Sequence, residues 1–273
     1  MEYEIKPHEK LSLGIKELWQ YRELFFFFTW RDIKVKYKQT FLGFLWAILQ
    51  PLLLMFIFSL PGKALNIPSE GMPYSLFAFS GLILWLVFSS GISNAGNSMI
   101  NNANIIKKIY FPRLIIPISS ILVSLFDFLM AFIVFAGMLV YYKINIDFTR
   151  FFLFLPASVA ITAISTFGTG SLLAALNIKY RDFRYVIPFL VQAMIFVTPV
   201  IYPVSIIAER YTWAKYIFAL NPMYGAIELF RAGFTHAILV KDLLLLSFGS
   251  GVVFFMIGLY YFRKTEFYFA DVA

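Results

Sequence analysis

The chain has 273 residues, of which 60% are hydrophobic, 20% aromatic and 14% charged; a soluble domain, with about a quarter of its residues charged, is excluded. A mean hydropathy of +0.77, with several apolar runs long enough to cross about 30 Å of hydrocarbon, places nearly all of it in one membrane domain. The net charge of +8 does not indicate nucleic acid, because the Lys and Arg residues fall between apolar runs and form no stripe. Without cysteine there is no thiolate metal site or Cys nucleophile, and His8 and His236 lie too far apart in sequence to suggest a metal centre.

Residues 1–40 are polar and charged apart from the patch 24–30, and lack the apolar core of a cleavable signal peptide. Leu11, Ile15, Leu18, Trp19 and Arg22 recur at helical spacing opposite Ser12, Lys16, Glu17, Gln20 and Glu23. This predicts an amphipathic helix over 11–23, lying in the inner membrane interface with Trp19 as its anchor. The pattern leaves open whether it is an anchor alone or also a working part.

Next comes a basic collar of Arg31, Lys34, Lys36 and Lys38 around Trp30 and Tyr37. It either sets topology and attracts lipid generically, or meets lipid diphosphates at the inner mouth, each basic group contributing on the order of 1 kcal/mol near the surface.

Apolar runs then predict spanning helices over residues 41–60, 74–92, 114–142, 151–176, 185–202 and 243–262. The fold expected is an all-α integral membrane protein with six transmembrane helices. It divides into a cytoplasmic segment 1–40, a membrane domain 41–262 and a cytoplasmic tail 263–273. Sixteen Lys and Arg residues fall on the side of the termini and seven on the other, so both termini are expected in the cytoplasm by the positive-inside rule.

Segment 94–113 interleaves Asn97, Ser98, Asn101, Asn102 and Asn104 with Met99, Ile100, Ile105 and Ile106. It reads as a short surface helix offered to a partner, or as an ordinary connection. Asp127 is the only acid deep within an expected span, where a carboxylate costs at least about 2.5 kcal/mol unless paired, hydrated or protonated. It either faces a wet pathway or is a hydrogen-bonded packing residue; as a single acid without a second ionisable group, it builds no proton relay.

Thr166, Gly170 and Ala174, spaced by four, let helices approach closely. The nearby Gly168-Thr169-Gly170-Ser171 lacks the lysine of a phosphate-binding loop, and no other stretch supplies one. Segment 204–237 is too interrupted to span and too apolar for a free loop. It reads as a short-helix hairpin on the outer side, broken at Asn221-Pro222, either dipping into the membrane or resting on it. Aromatics near span ends, Trp46, Trp85, Tyr202 and Tyr224 among them, are mostly belt residues, a minority lining a pathway where rings stack on sugar faces.

Several segments together resemble the transmembrane subunits of ABC type-2 exporters of lipid-linked polysaccharides such as O-antigen or teichoic acid. They are the run from Arg31 to Thr40 with Leu42-Gly43, Trp46 and Pro51; Lys108-Ile109-Tyr110-Phe111-Pro112-Arg113 with Pro117; Asn177 with Tyr180-Arg181-Asp182 and Pro188; Pro199-Val200-Ile201-Tyr202; and Asn221-Pro222-Met223.

The resemblance implies a homodimer in the cytoplasmic membrane with its channel at the dimer interface. It also implies two copies of a separate ATPase that bind ATP and Mg, no cofactor or catalytic residue in this chain, and no nucleic acid. Further implied are ATPase docking through Leu11, Ile15, Leu18 and Trp19 and through a coupling helix at Asn97, Ser98, Asn101, Asn102 and Asn104. Substrate would be met at Arg31, Lys34, Lys36, Tyr37 and Lys38. Trp46, Trp85, Asp127, Tyr202, Asn221 and Tyr224 are candidates for channel and gate.

Three other readings compete. A drug or small-lipid exporter of the same class shares the spans and the outer hairpin. An ion-coupled secondary transporter needs its driving site in the membrane and has one Asp to build it. A transferase acting on lipid-linked sugars needs a cluster of acids or histidines, and Glu70, Asp147, Glu209, Glu228, Asp242 and His236 are scattered over several loops.

Overall fold

A computed structural model describes residues 15–266 except 39, 41, 181, 236 and 238. Every regular element among the described residues is a helix. Leu11 and the tail beyond residue 266 lie outside this range, as do Arg181 and His236, and the side chain of Ile15 is likewise not described.

The amphipathic segment forms α1 (Ile15–Gln20), which turns at Tyr21 into α2 (Arg22–Lys38), so the basic collar is itself helical. The two faces of α2 differ. Tyr21, Leu24 and Phe25 join Leu18 of α1 against a buried cluster containing Phe28, Met99, Phe111 and Phe262, while Phe26, Phe27 and Trp30 are exposed. Trp19 is 69% exposed, so Leu18 and Trp19 do not share one buried stripe.

Then follow α3 (Leu45–Ala64), α4 (Tyr74–Asn101), the short α5 (Ala103–Ile106), α6 (Ile115–Tyr141), α7 (Phe148–Lys179) and α8 (Phe183–Val197). The segment read as an outer hairpin comprises α9 (Ser205–Ala208), α10 (Ala214–Ala219) and α11 (Pro222–Ala232), and α12 (Lys241–Thr265) closes the described chain. Asn221 caps α11, its side-chain oxygen accepting from the Met223 amide at 3.0 Å, with Pro222 at the first helical position.

Among the described residues α3, α4, α6, α7 and α12 are long and apolar enough to cross a membrane. The run expected over 185–202 departs from this. Its helix, α8, has 15 residues, about 22 Å at a rise of about 1.5 Å per residue, short of the roughly 30 Å core. The cause is local: Pro199 pushes Thr198 out of helical conformation, to φ −105° and ψ 133°.

Helix α4 also departs from expectation. It runs to Asn101 and absorbs the first part of the segment read as a separate surface helix. It is the hub of the bundle, buried along most of its length and packed against α3, α6, α7, α8 and α11.

Small residues set how closely helices pack. Gly170 and Thr166 of α7 face Ala95 and Gly91 of α4, as spacing four predicts. On the other side of α7 a methyl on Gly258 of α12 would overlap the carbonyl oxygen of Gly168. Gly137 on α6 has nothing within 4 Å of where its Cβ would stand. Gly258→Val is therefore expected to destabilise the protein in detergent by about 2 kcal/mol or more through overpacking. Gly137→Ala is expected to be neutral or stabilising by up to about 1 kcal/mol, and thermal unfolding of the two variants checks the contrast.

Candidate functional site

Where α2 meets the bundle, a cavity of about 240 Å³ opens between α2, α3, α4, α6 and α8. Trp46, Gln50 and Pro51 of α3 form one wall, and Ser89, Ser90 and Ser93 of α4 another. Asp127 and Ser124 come from α6, Lys36 and Tyr37 from α2, and Val191 from α8.

Asp127 is not solitary. One carboxylate oxygen pairs with Lys36 Nζ and the other accepts the Tyr37 hydroxyl. Sequence spacing hid this, since the partners lie 91 and 90 residues away. Tyr37 is 4% exposed and stacks obliquely on Phe44 at 4.7 Å between ring centres. Burial, then the bond and negative charge of Asp127, hold its phenol well above the ordinary range, so it stays protonated and donates. A carboxylate otherwise unfavourable at this depth is thus met by a cation and a hydroxyl, and the same contacts tie α2 to α6.

The collar divides by direction. Arg31 turns away from the cavity. It pairs with Asp32 at 2.7 Å, donates to the side-chain oxygen of Asn102 at 2.7 Å, and lies 4.8 Å over the Phe28 ring. Lys34 and Lys38 are exposed, Lys34 standing 5.3 Å over the Trp30 ring.

The asparagine segment does not present one outward face. Asn97 accepts from Asn177 at 3.1 Å, Ser98 bonds back to the Ala95 carbonyl, and Asn102 is buried between the Ser98 carbonyl and Arg31. Asn101 and Asn104 remain exposed, as do Lys107, Lys108, Ile109 and Tyr110 beyond them.

Trp46 lines the cavity and is 46% exposed. Trp85 lies in the core, 5.8 Å from the Phe88 ring. Tyr202, Asn221 and Tyr224 sit at the hairpin and do not line the cavity. Tyr202 donates to the Phe196 carbonyl, Asn221 donates to Thr198 Oγ1 at 2.7 Å, and Tyr224 packs in a cluster with Val204, Ala219 and Leu243.

Arg231, absent from the sequence-derived candidates, is a fully buried cation on α11. The available signal was a lone Arg inside the apolar run 223–234, the basic counterpart of the acid that drew attention to Asp127.

Residues 23–235 match the family model described as ABC-2 type transporter. The chain is 31% identical over 246 residues to an O-antigen export system permease protein RfbA of Klebsiella pneumoniae, covering 89% of this chain and 92% of that one. It is 30% identical over 224 residues to the protein of the same name from Myxococcus xanthus, covering 81% and 83%. Against the polysialic acid transport protein KpsM of Escherichia coli it is 27% identical over 215 residues, covering 74% and 77%.

If Lys36 and Asp127 stabilise each other, single substitutions Lys36→Met and Asp127→Asn each lower the midpoint of thermal unfolding, and the double variant recovers part of the loss. The coupling expected from a double-mutant cycle is about 1 kcal/mol. Strict additivity would mean that the pair contributes nothing.

Proposed function

The chain belongs to the ABC-2 type transporter family, and from that premise we propose that it is the permease of an ATP-driven exporter that moves a lipid-linked polysaccharide of O-antigen type across the cytoplasmic membrane. It breaks no bond. Two copies form the channel between them, and two copies of a separate ATPase supply the hydrolysis, with ATP and Mg held there.

The observation that carries this reading is the cavity at the foot of α2. It joins a cation, an acid, hydroxyls and an aromatic ring at the head of a bundle whose relatives are named as O-antigen export permeases. Lys34, Lys36 and Lys38 offer ammonium groups to a lipid diphosphate arriving along the inner leaflet. A diphosphate reaching Lys36 competes with Asp127 for the same cation, so substrate arrival loosens α2 from α6.

For the channel, the exposed face of α8 supports the dimer reading. Tyr185, Phe189, Gln192 and Phe196 recur there at helical spacing and are all exposed, as is Gln50 on α3. Amides on the outside of apolar helices suit a wet pathway between two copies better than hydrocarbon. The interleaved rings offer flat faces on which sugar units slide. The bend 198–203 extends α8 to complete the sixth crossing, with the hairpin on the outer side and both termini in the cytoplasm.

For coupling, α1 and the exposed end of α4 with α5 dock on the ATPase. The Arg31–Asn102 bond joins α2, which continues from α1, to the end of α4. At its far end α2 holds Asp127, so a push from the ATPase reaches the cavity through one rigid helix.

In a strain lacking the gene, the restored chain should return polymer to the cell surface. Combined Lys34→Gln, Lys36→Gln and Lys38→Gln substitutions are expected to lower surface polymer about tenfold or more, as loss of several charge-assisted contacts implies, with membrane insertion unchanged. Full export by that variant would remove the collar from the pathway. Intact polymer export without the chain would remove the function.

A further inference from the structure

Helix α8 stops at Val197, and the chain then bends through Thr198, Pro199 and Val200 without helical hydrogen bonding. Backbone carbonyls freed in a membrane protein need internal donors. Here side chains from two other elements supply them. Tyr74 of α4 donates its hydroxyl to the Ile201 carbonyl at 2.7 Å, and Arg231 of α11 donates Nη2 to the Val200 carbonyl at 2.8 Å.

Arg231 also reaches the Phe77 carbonyl at 3.2 Å and Ser80 Oγ at 3.3 Å, and its guanidinium stacks 3.6 Å over the Phe77 ring. Gly81 makes this approach possible, because a Cβ there would stand 2.7 Å from the Val200 oxygen and 2.9 Å from Nη2. One side chain therefore pins the bend, α4 and the hairpin together.

The guanidinium is not fully used. Nη1 is buried without a hydrogen-bond partner among the described residues, and the nearest carboxylate, Glu228 one turn earlier on α11, is 3.8 Å away. A rotation that carries Nη2 off the Val200 carbonyl and Nη1 onto that carboxylate would exchange a neutral acceptor for a closer, charge-assisted contact. Two acceptors compete for one cation, one on the bend and one on Arg231's own helix.

We infer that Arg231 is the positioning residue of the outer end: it holds the bend 198–201 shut against α4, and transfer of its guanidinium from the Val200 carbonyl to Glu228 frees the bend to move. This takes the export reading as given for what the opening serves. The position of the bend is measured without polymer or ATPase, so failure of either idea is recognisable by itself.

The chain has no cysteine, so Val200→Cys introduces a single thiol at a buried site. Right-side-out membrane vesicles holding the full-length chain are treated with a membrane-impermeant maleimide, long enough for rare openings to label the parent. Arg231→Gln should raise the labelling rate on the order of tenfold, the effect of losing hydrogen bonds to a charged donor. Arg231→Lys, which keeps the charge but not the forked geometry, should give a smaller rise and serves if the Gln variant fails to insert. Glu228→Gln removes the negative charge that makes the competing contact charge-assisted and no hydrogen bond of the shut state, so labelling should slow severalfold. Labelling unchanged by substitution at Arg231 overturns the positioning role. A rate in Glu228→Gln equal to or above the parent's overturns the exchange.

Discussion

A carboxylate placed in an apolar helix has to be neutralised or find a partner, and this requirement on Asp127 organises the end of the bundle where α2 docks. Its partners come from α2, which is not among the helices long and apolar enough to cross a membrane, so satisfying the charge also moors α2 to the bundle at Lys36 and Tyr37. The mooring leaves room beside it for the cavity. Farther back along α2, Arg31 fixes the end of α4 through Asn102, and Phe28 fills the space against Phe111. The helix is thereby attached twice, to the end of α4 and beside the cavity.

The end of the bundle around α9 to α11 answers a different demand. Pro199 ends α8 before it has crossed the hydrocarbon core, and the carbonyls beyond it are met by Tyr74 and Arg231, while Asn221 holds Thr198. Ser247 of α12 ties the hairpin from behind, accepting from the Gly225 amide at 2.8 Å and donating to the Asn221 carbonyl at 2.9 Å. Irregular backbone survives at this depth because protein replaces water as donor and acceptor. Such a region is held by a few directional bonds rather than by a continuous helix ladder, and is the part of the bundle best suited to move.

Apolar run length made the membrane class and five helices long enough to cross legible, and the pattern around Asn221-Pro222 located the break between α10 and α11. The ends were less legible. That α4 continues to Asn101 is hidden because Asn97 and Ser98 look like surface residues, whereas their side chains bond back to the Ser93 and Ala95 carbonyls inside the helix. The shortness of α8 was available in Pro199, but hydropathy alone runs past it to Tyr202. Asp127 stood out as an intramembrane acid, while its partners lay in a segment already explained as a basic collar. Pairings across such separations have no local signature. Arg231 was overlooked for the opposite reason, being counted with the outer-side cations when its burial makes it a structural pin.

The central claim, that this permease works as half of an ATP-driven polymer exporter, is tested most directly by purifying the tagged chain from its native membrane and assaying nucleotide hydrolysis in vesicles. The account predicts a near-equimolar ATPase carrying a phosphate-binding loop, whose hydrolysis rises when the lipid-linked polysaccharide of the same cells is added. A chain that purifies without any nucleotide-hydrolysing partner, yet carries out proton-dependent flux in vesicles, would contradict it and would make the Lys36–Asp127 pair the centre of an ion-driven transporter.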